Sequence, residues 1–479
     1  MATNVSNAVS QAATNEAADL AKLKQNMPPL QHARGARWPI VFWNPAPQAP
    51  EMMRAWVLRG VIPLSVAGPG DPSIRPFLHF LQEHDVPVIF LVQGLVQHAF
   101  SKNGQKFGDA DSPAWLLENP ANATQRAAAL AMAKSLQADG IIPTSIWIDF
   151  EAGAYLRNQN DQEEKVRALQ EKALNNPADV TRFGKEQLSS LEGFQRAVDE
   201  SRAQVMRENF SDPVHSIFPN AQLGNFFAWP IQRAIAKNPA RYANRYPAYG
   251  YENSGLTVMQ PRCYYTVSWG SGPKASQEEI NWNVFQYSLD RFSRAASVKK
   301  AGEKLVPWIG YLIADDGSGG AEASRKKAAL GGVLASPEAY REMVIHTMMR
   351  GAETLAVYAP STLSETLTKE YPPDFARREL GPLLLNLVDV QSGYDDVLRF
   401  NSILRESAIL NFDVPAKENP GAFWSGLQTK EKAVIRTVNF GEETTQAISV
   451  FGKQIELPFK KHGQYFWIFP DGKIVPIND

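Results

Sequence analysis

Asp149 and Glu151 close the apolar run Ser145-Ile146-Trp147-Ile148-Asp149-Phe150-Glu151 with a single residue between them. Side chains on a strand alternate faces, so the two carboxylates point the same way with Cβ atoms about 6–7 Å apart. Like charges at that distance resist joint ionisation, which raises one pKa and leaves a proton donor beside a carboxylate. Such a pair suits cleavage of a glycosidic bond, where one group protonates the leaving oxygen. It also fits two solvated or ion-paired acids at a loop mouth, and this segment alone leaves both readings open.

Elements that could position the pair recur along the chain. Short apolar runs at 39–44, 61–67, 86–93, 144–151, 222–229, 257–265, 305–312 and 354–359 alternate with helix-like stretches, among them 125–138 and 337–350. Continuous apolar strands interleaved with helices indicate a parallel sheet covered on its faces, and eight of them predict a (β/α)8 TIM barrel. The stretch 152–221 is expected to hold one long charged helix from about 185 to 208. Beyond Pro360 a helical link at 375–405 leads into alternating segments at 433–440, 445–451, 454–458 and 465–470, which read as a small C-terminal antiparallel β domain. The expected division is an N-terminal extension 1–35, a barrel 36–395 and a sandwich-like β domain 396–479, the last either capping the barrel or binding sugar.

In a barrel the strand ends converge on one face, so they can be read as the available reagents. They include Trp43, Asn44, Gln93, Asp149, Glu151, Phe227, Trp229, Tyr264, Tyr265, Tyr311 and Tyr358. Acids, amides and aromatic rings suit a sugar, whose C–H faces pack on rings while its hydroxyls take hydrogen bonds. None of the seven histidines lies at these ends, so no metal site is expected, and no lysine stands there for Schiff-base chemistry. No cofactor is implied. Cys263, the sole cysteine, reads as a packed thiol and excludes an intrachain disulfide. Gly317-Ser318-Gly319-Gly320 reads as a loop, not a phosphate cradle, because Asp315 and Asp316 precede it. The segment 241–251, with Arg241, Tyr242, Arg245, Tyr246, Tyr249 and Tyr251, adds rings and arginines near the same mouth.

A formal net charge of -1 gives no electrostatic footprint for nucleic acid or an anionic membrane, and no apolar run reaches the roughly 20 residues of a membrane span. The expected partner is a carbohydrate substrate. The first 31 residues lack a basic-then-apolar leader, which leaves two readings of location: an intracellular protein, or a secreted or periplasmic one whose leader has been trimmed. Oligomeric state is not legible.

Several segments, in order, resemble the hyaluronidase family of glycoside hydrolases. Phe42-Trp43-Asn44-Pro45-Ala46-Pro47 is similar to that family's Trp-Asn-x-Pro opening, and Ile148-Asp149-Phe150-Glu151 to its Ile-Asp-Trp-Glu motif. Phe226-Phe227-Ala228-Trp229-Pro230 resembles aromatic-Tyr-Gly-Phe-Pro, and Gln260-Pro261-Arg262-Cys263-Tyr264 resembles Tyr-Pro-Ser-x-Tyr. Val306-Pro307-Trp308-Ile309-Gly310-Tyr311 and the stretch 346–358 follow in the same order, so the resemblance spans about 38–360.

The resemblance implies a substrate-assisted retaining mechanism at an N-acetylhexosamine. Glu151 would be the general acid/base, Asp149 would stabilise the 2-acetamido group as it attacks the anomeric carbon, and Tyr264 would assist there. Tyr311 and Tyr358 would line the two sides of the cleft. Phe227, Phe150 and Tyr358 depart from the family's Tyr, Trp and Trp, and each swap reshapes the sugar pocket. Two alternatives stand beside this one: an inverting glycosidase on an acidic sugar polymer, and a carbohydrate-binding barrel without catalysis.

Overall fold

A computed structural model of the chain describes residues 20–43, 49–68, 70–93, 95, 123–149, 162–226, 253–263, 265–266, 276–297, 299–312, 335–357 and 387–478. Through residue 357 the strands are β1 (Ile40–Trp43), β2 (Val61–Ala67), β3 (Ile89–Val92), β4 (Ser145–Asp149), β5 (Gln222–Phe226), β6 (Val258–Met259), β7 (Tyr265–Thr266), β8 (Lys304–Leu305), β9 (Trp308–Ile309), β10 (Tyr311–Leu312) and β11 (Ala356–Val357). The helices among them are α1 (Pro50–Val57), α2 (Arg75–Glu83), α3 (Ala123–Ala138), α4 (Gln162–Leu174), α5 (Pro177–Phe183), α6 (Lys185–Ser189), α7 (Leu191–Met206), the single turn α8 (Asp212–His215), α9 (Gln277–Ser297) and α10 (Pro337–Met349).

The main sheet runs in the order β8-β6-β5-β4-β3-β2-β1-β11-β9. Its first and last members, β8 and β9, are consecutive pieces of one run, 304–309, so the order begins and ends on the same stretch of chain. Parallel strands in this order, alternating with helices and followed by an antiparallel β domain, are a (β/α)8 TIM barrel with a C-terminal β domain. The sixth and seventh strands are shorter than their apolar runs suggest. Pro261 and Pro307 have no N–H to donate to the ladder, so β6 and β8 stop before them. An isolated parallel bridge, Arg262 to Trp308, carries the pairing past both prolines.

The chain divides into two compact units, one formed by Met1–Pro63, Arg262–Ser297 and Pro307–Asp479, the other by Leu64–Pro261 and Val298–Val306. In the second unit β3, β4 and β5 pair in parallel through Leu91–Trp147–Gly224, and Gly224 pairs in turn with Val258 of β6. Partners in a parallel ladder share a face, so Ile146, Ile148 and Leu223 point to the opposite side, where all are buried. The long helix expected at 185–208 is divided. Ser190 leaves helical geometry (φ -98, ψ 150), and its side chain accepts from the Gly193 N–H at 2.9 Å, so it caps α7 instead of continuing α6. A π-helical turn, Arg207–Ser211, then joins α7 to α8.

The first unit contains β1, β11 and β9, paired in parallel, and the helices α1, α9, α10, α11 (Leu387–Leu398) and α12 (Asn401–Leu404). Helix α10 starts as its sequence demands: Ser336 accepts from the Ala339 N–H, Pro337 fills the first turn, and Gly351 follows at φ 95. The C-terminal strands are β12 (Ala408–Ile409), β13 (Ala422–Gln428), β14 (Ala433–Asn439), β15 (Thr444–Val450), β16 (Lys453–Phe459), β17 (Gln464–Ile468) and β18 (Ile474–Ile477). They form an antiparallel sheet, β12-β13-β14-β17-β18, and a hairpin, β15-β16. The hairpin turns on Phe451 and Gly452, both at positive φ (52 and 70), the geometry that matches strand twist. Ile435, Ile448, Leu457, Phe459, Phe466 and Ile468 make the core of this part.

Polar groups join the C-terminal sheet to α9 and α10. Arg350, fully buried at the end of α10, donates to Ser293 Oγ on α9 at 2.6 Å and to Ser425 Oγ on β13 at 2.9 Å. It also donates to the Asp413 and Trp424 carbonyls, both at 3.0 Å, and lies over the Phe423 ring. Arg436 on β14 makes a two-point ion pair with Glu342 on α10. A Cβ on Gly463 would sit against the ends of both partners, so this position has to be bare. Between the two pairs, buried His346 has Nδ1 at 2.9 Å from Ser425 Oγ and Nε2 at 3.6 Å from Glu342. Burial first, then the positive Arg350 and Arg436, hold the imidazole well below its usual pKa.

Candidate functional site at the ends of strands three to six

Asp149 is the last residue of β4 and is half-buried. It lies two residues past Trp147, so both side chains leave the same face of the strand, the face shared by Gly224 and Val258. Register extends this to neighbouring strands. Asp149 pairs with Phe226 of β5, Gln93 follows the Val92–Ile148 pair by one residue, and Gln260 stands two past Val258 as Phe226 stands two past Gly224. Gln93, Asp149, Phe226 and Gln260 therefore form one row across the C-terminal ends of four adjacent strands, the end where barrels carry their chemistry.

The layer beneath that row is tightly fixed. Trp147 is fully buried, and its indole Nε1 donates to Ser145 Oγ at 2.8 Å. Ser145 in turn donates to the Gln222 carbonyl at 2.7 Å, tying the floor to β5. Gly224 is where only a glycine fits: a Cβ there would lie 2.9 Å from Trp147 Cδ1 and 3.0 Å from Gln260 Oε1. The bare Gly224 thus lets the indole and the Gln260 amide share the space above β5. Register thus sets the positions of Gln93 and Asp149 one step beyond the immobilised ring, with the buried Gln260 amide beside it, residue types able to orient a polyhydroxylated ligand.

Of the sequence-derived candidates, the structure places Asp149 and Gln93 in this row, Gln93 exposed in the bend after β3. Trp43, Tyr265 and Tyr311 lie on β1, β7 and β10, where their backbone positions are described. Asn44, Glu151, Phe227, Trp229, Tyr264 and Tyr358 lie outside the described residues, as do 241–251, 315–316 and 317–320. Cys263 is buried, and desolvation pushes its thiol far above the usual range, so it is neutral and inert. Among the described residues no three His, Cys, Asp or Glu side chains come together to hold a metal ion. Gln260 was not singled out in the sequence; the only hint there was its place at the head of the Gln260-to-Tyr264 motif.

No family model and no curated protein matches the chain. Several solved structures are similar to it. A cyclic alpha-maltosyl-(1→6)-maltose hydrolase from Arthrobacter globiformis is 8% identical over 85% of this chain and 78% of its own, with a TM-score of 0.37. A glycoside hydrolase family 5 protein from Bacteroides vulgatus is 9% identical over 94% and 91%, with a TM-score of 0.31. A GH30 endoxylanase from Clostridium papyrosolvens is 13% identical over 92% and 95%, with a TM-score of 0.24. Likenesses this low say nothing of substrate or of the roles of individual residues here.

Proposed function

We propose that the chain is a glycoside hydrolase that cleaves a glycan at an N-acetylhexosamine by a substrate-assisted retaining route, as the hyaluronidase resemblance implies. The observation that supports this most is the position of Asp149. It ends β4 on the face of the fixed Trp147, in register with the ends of β3, β5 and β6, and Glu151 follows two residues later in the sequence.

In this reading Glu151 donates its proton to the glycosidic oxygen as that bond breaks, and the acetamido carbonyl oxygen attacks the anomeric carbon. The Asp149 carboxylate stabilises the positive charge that develops on the acetamido nitrogen. Water then opens the cyclic intermediate, giving its proton back to Glu151, and the configuration is retained. Tyr264 is assigned to assist at the acetamido group, and Trp43, Asn44, Gln93, Phe227, Trp229, Tyr265, Tyr311 and Tyr358 are assigned to sugar binding.

The test is release of reducing ends from glycosaminoglycans, chitin oligomers and bacterial or algal polysaccharides. Glu151→Gln is expected to lower kcat by about 10²- to 10⁴-fold, the usual worth of general acid catalysis, without unfolding the protein. Asp149→Asn is expected to fall nearly as far, and proton NMR of the first product should show the retained anomer. Wild-type turnover in Glu151→Gln would discard the assignment.

A further inference from the structure

Gln260 is fully buried, and neither its Oε1 nor its Nε2 has a hydrogen-bond partner among the described residues. Buried amides nearly always find partners, because leaving one bare forfeits the hydrogen bonds that water supplies to the unfolded chain. A side chain with only a packing role would be better served by Leu or Met. Its surroundings also hold the amide in place: Trp147 is locked by Ser145, and any side chain at position 224 would collide with Gln260 Oε1 and with the indole. The amide is therefore held by shape, in the same register row as Asp149, with its donor and its acceptor both uncommitted.

We propose that Gln260 is a substrate-binding residue of this site, its planar amide accepting from one polar substituent of a sugar ring and donating to an adjacent one. A side-chain amide presents an acceptor and a donor side by side, and neighbouring substituents on a pyranose offer the complementary pair. In a water-poor setting such a contact discriminates strongly, since a ligand lacking either group leaves the amide unsatisfied. The proposal rests on the glycosidase reading for the kind of ligand; the orphaned amide itself does not depend on it.

Two variants, Gln260→Leu and Gln260→Met, separate binding from packing. Thermal unfolding without glycan is expected to give a Tm equal to or above that of the wild type, because each variant replaces an unsatisfied amide with apolar atoms of similar size. On a glycan that the wild type cleaves, KM is expected to rise about tenfold with kcat within about twofold, the pattern of a contact made equally in ground and transition states. A Tm lowered by several degrees in both variants, or unchanged KM in a folded variant, would overturn the proposal. If the wild type cleaves nothing in the panel, the glycosidase reading falls separately, and glycan affinity by isothermal titration takes the place of KM: about tenfold weaker binding in the variants supports Gln260 as a contact, and equal binding or none by the wild type overturns it.

Discussion

His346 makes the fold sensitive to acid, and the size of the effect follows from its surroundings. The imidazole is fully buried, edge-on to Phe285 and Phe423, with Ser425 and Glu342 at its two nitrogens and Arg350 and Arg436 close by. Its pKa in the folded protein lies well below the ordinary 6.5, so the folded state keeps it neutral while the unfolded chain takes up a proton below that pH. Stability from this group is thus complete above pH 6.5 and is lost as pH falls towards the folded-state pKa. At pH 5 the linkage is at most about 2 kcal/mol, the limit for an imidazole that stays neutral there. The experiment compares wild type with His346→Gln, whose amide can still reach Ser425, by urea unfolding at pH 7.5 and pH 5. The variant is expected to be less stable at pH 7.5, and the gap is expected to shrink at pH 5, by at most about 2 kcal/mol, other titrations being common to both proteins. A gap that stays constant across that range would refute the reasoning.

The remaining predictions concern Arg436 and Cys263. Arg436→Met leaves Glu342 without its cation and is expected to cost roughly 3–5 kcal/mol, measured as a lower urea midpoint at neutral pH; the double variant Arg436→Met with Glu342→Leu should recover most of it. The Cys263 thiol, buried and held neutral, is expected to react with Ellman's reagent only on unfolding, which a time course with and without urea will show.

Apolar runs between polar, glycine-bearing segments made the barrel legible, because strands covered on both faces carry a strong continuous signal. What they did not show is where pairing stops: Pro261 and Pro307 sit inside apolar runs, and only the missing N–H explains the breaks in the sixth and seventh strands. The helix expected at 185–208 is divided because Ser190, within the uncharged stretch 187–191, caps α7 instead of continuing α6. Strand β13 was missed altogether. Its small residues Ser425 and Gly426 look like a turn, yet a Cβ on Gly426 would strike Ile435, and Ser425 is buried to receive Arg350. The apolar run into Asp149 made its place at a strand end legible, whereas Gln260 stands before a proline and reads as a loop residue until strand register aligns it with Phe226.

The Arg350 and Arg436 contacts have a consequence for how this protein could be rebuilt. The C-terminal sheet meets α9 and α10 through polar side chains that complete one another's hydrogen bonds: a guanidinium shared among two serines and two carbonyls, and an acid matched by a single strand's arginine. A chimera that imports a foreign sheet onto these helices would strand Arg350 and Glu342 in an apolar seam, so the grafting unit has to run from α9 onward and not from the start of β12.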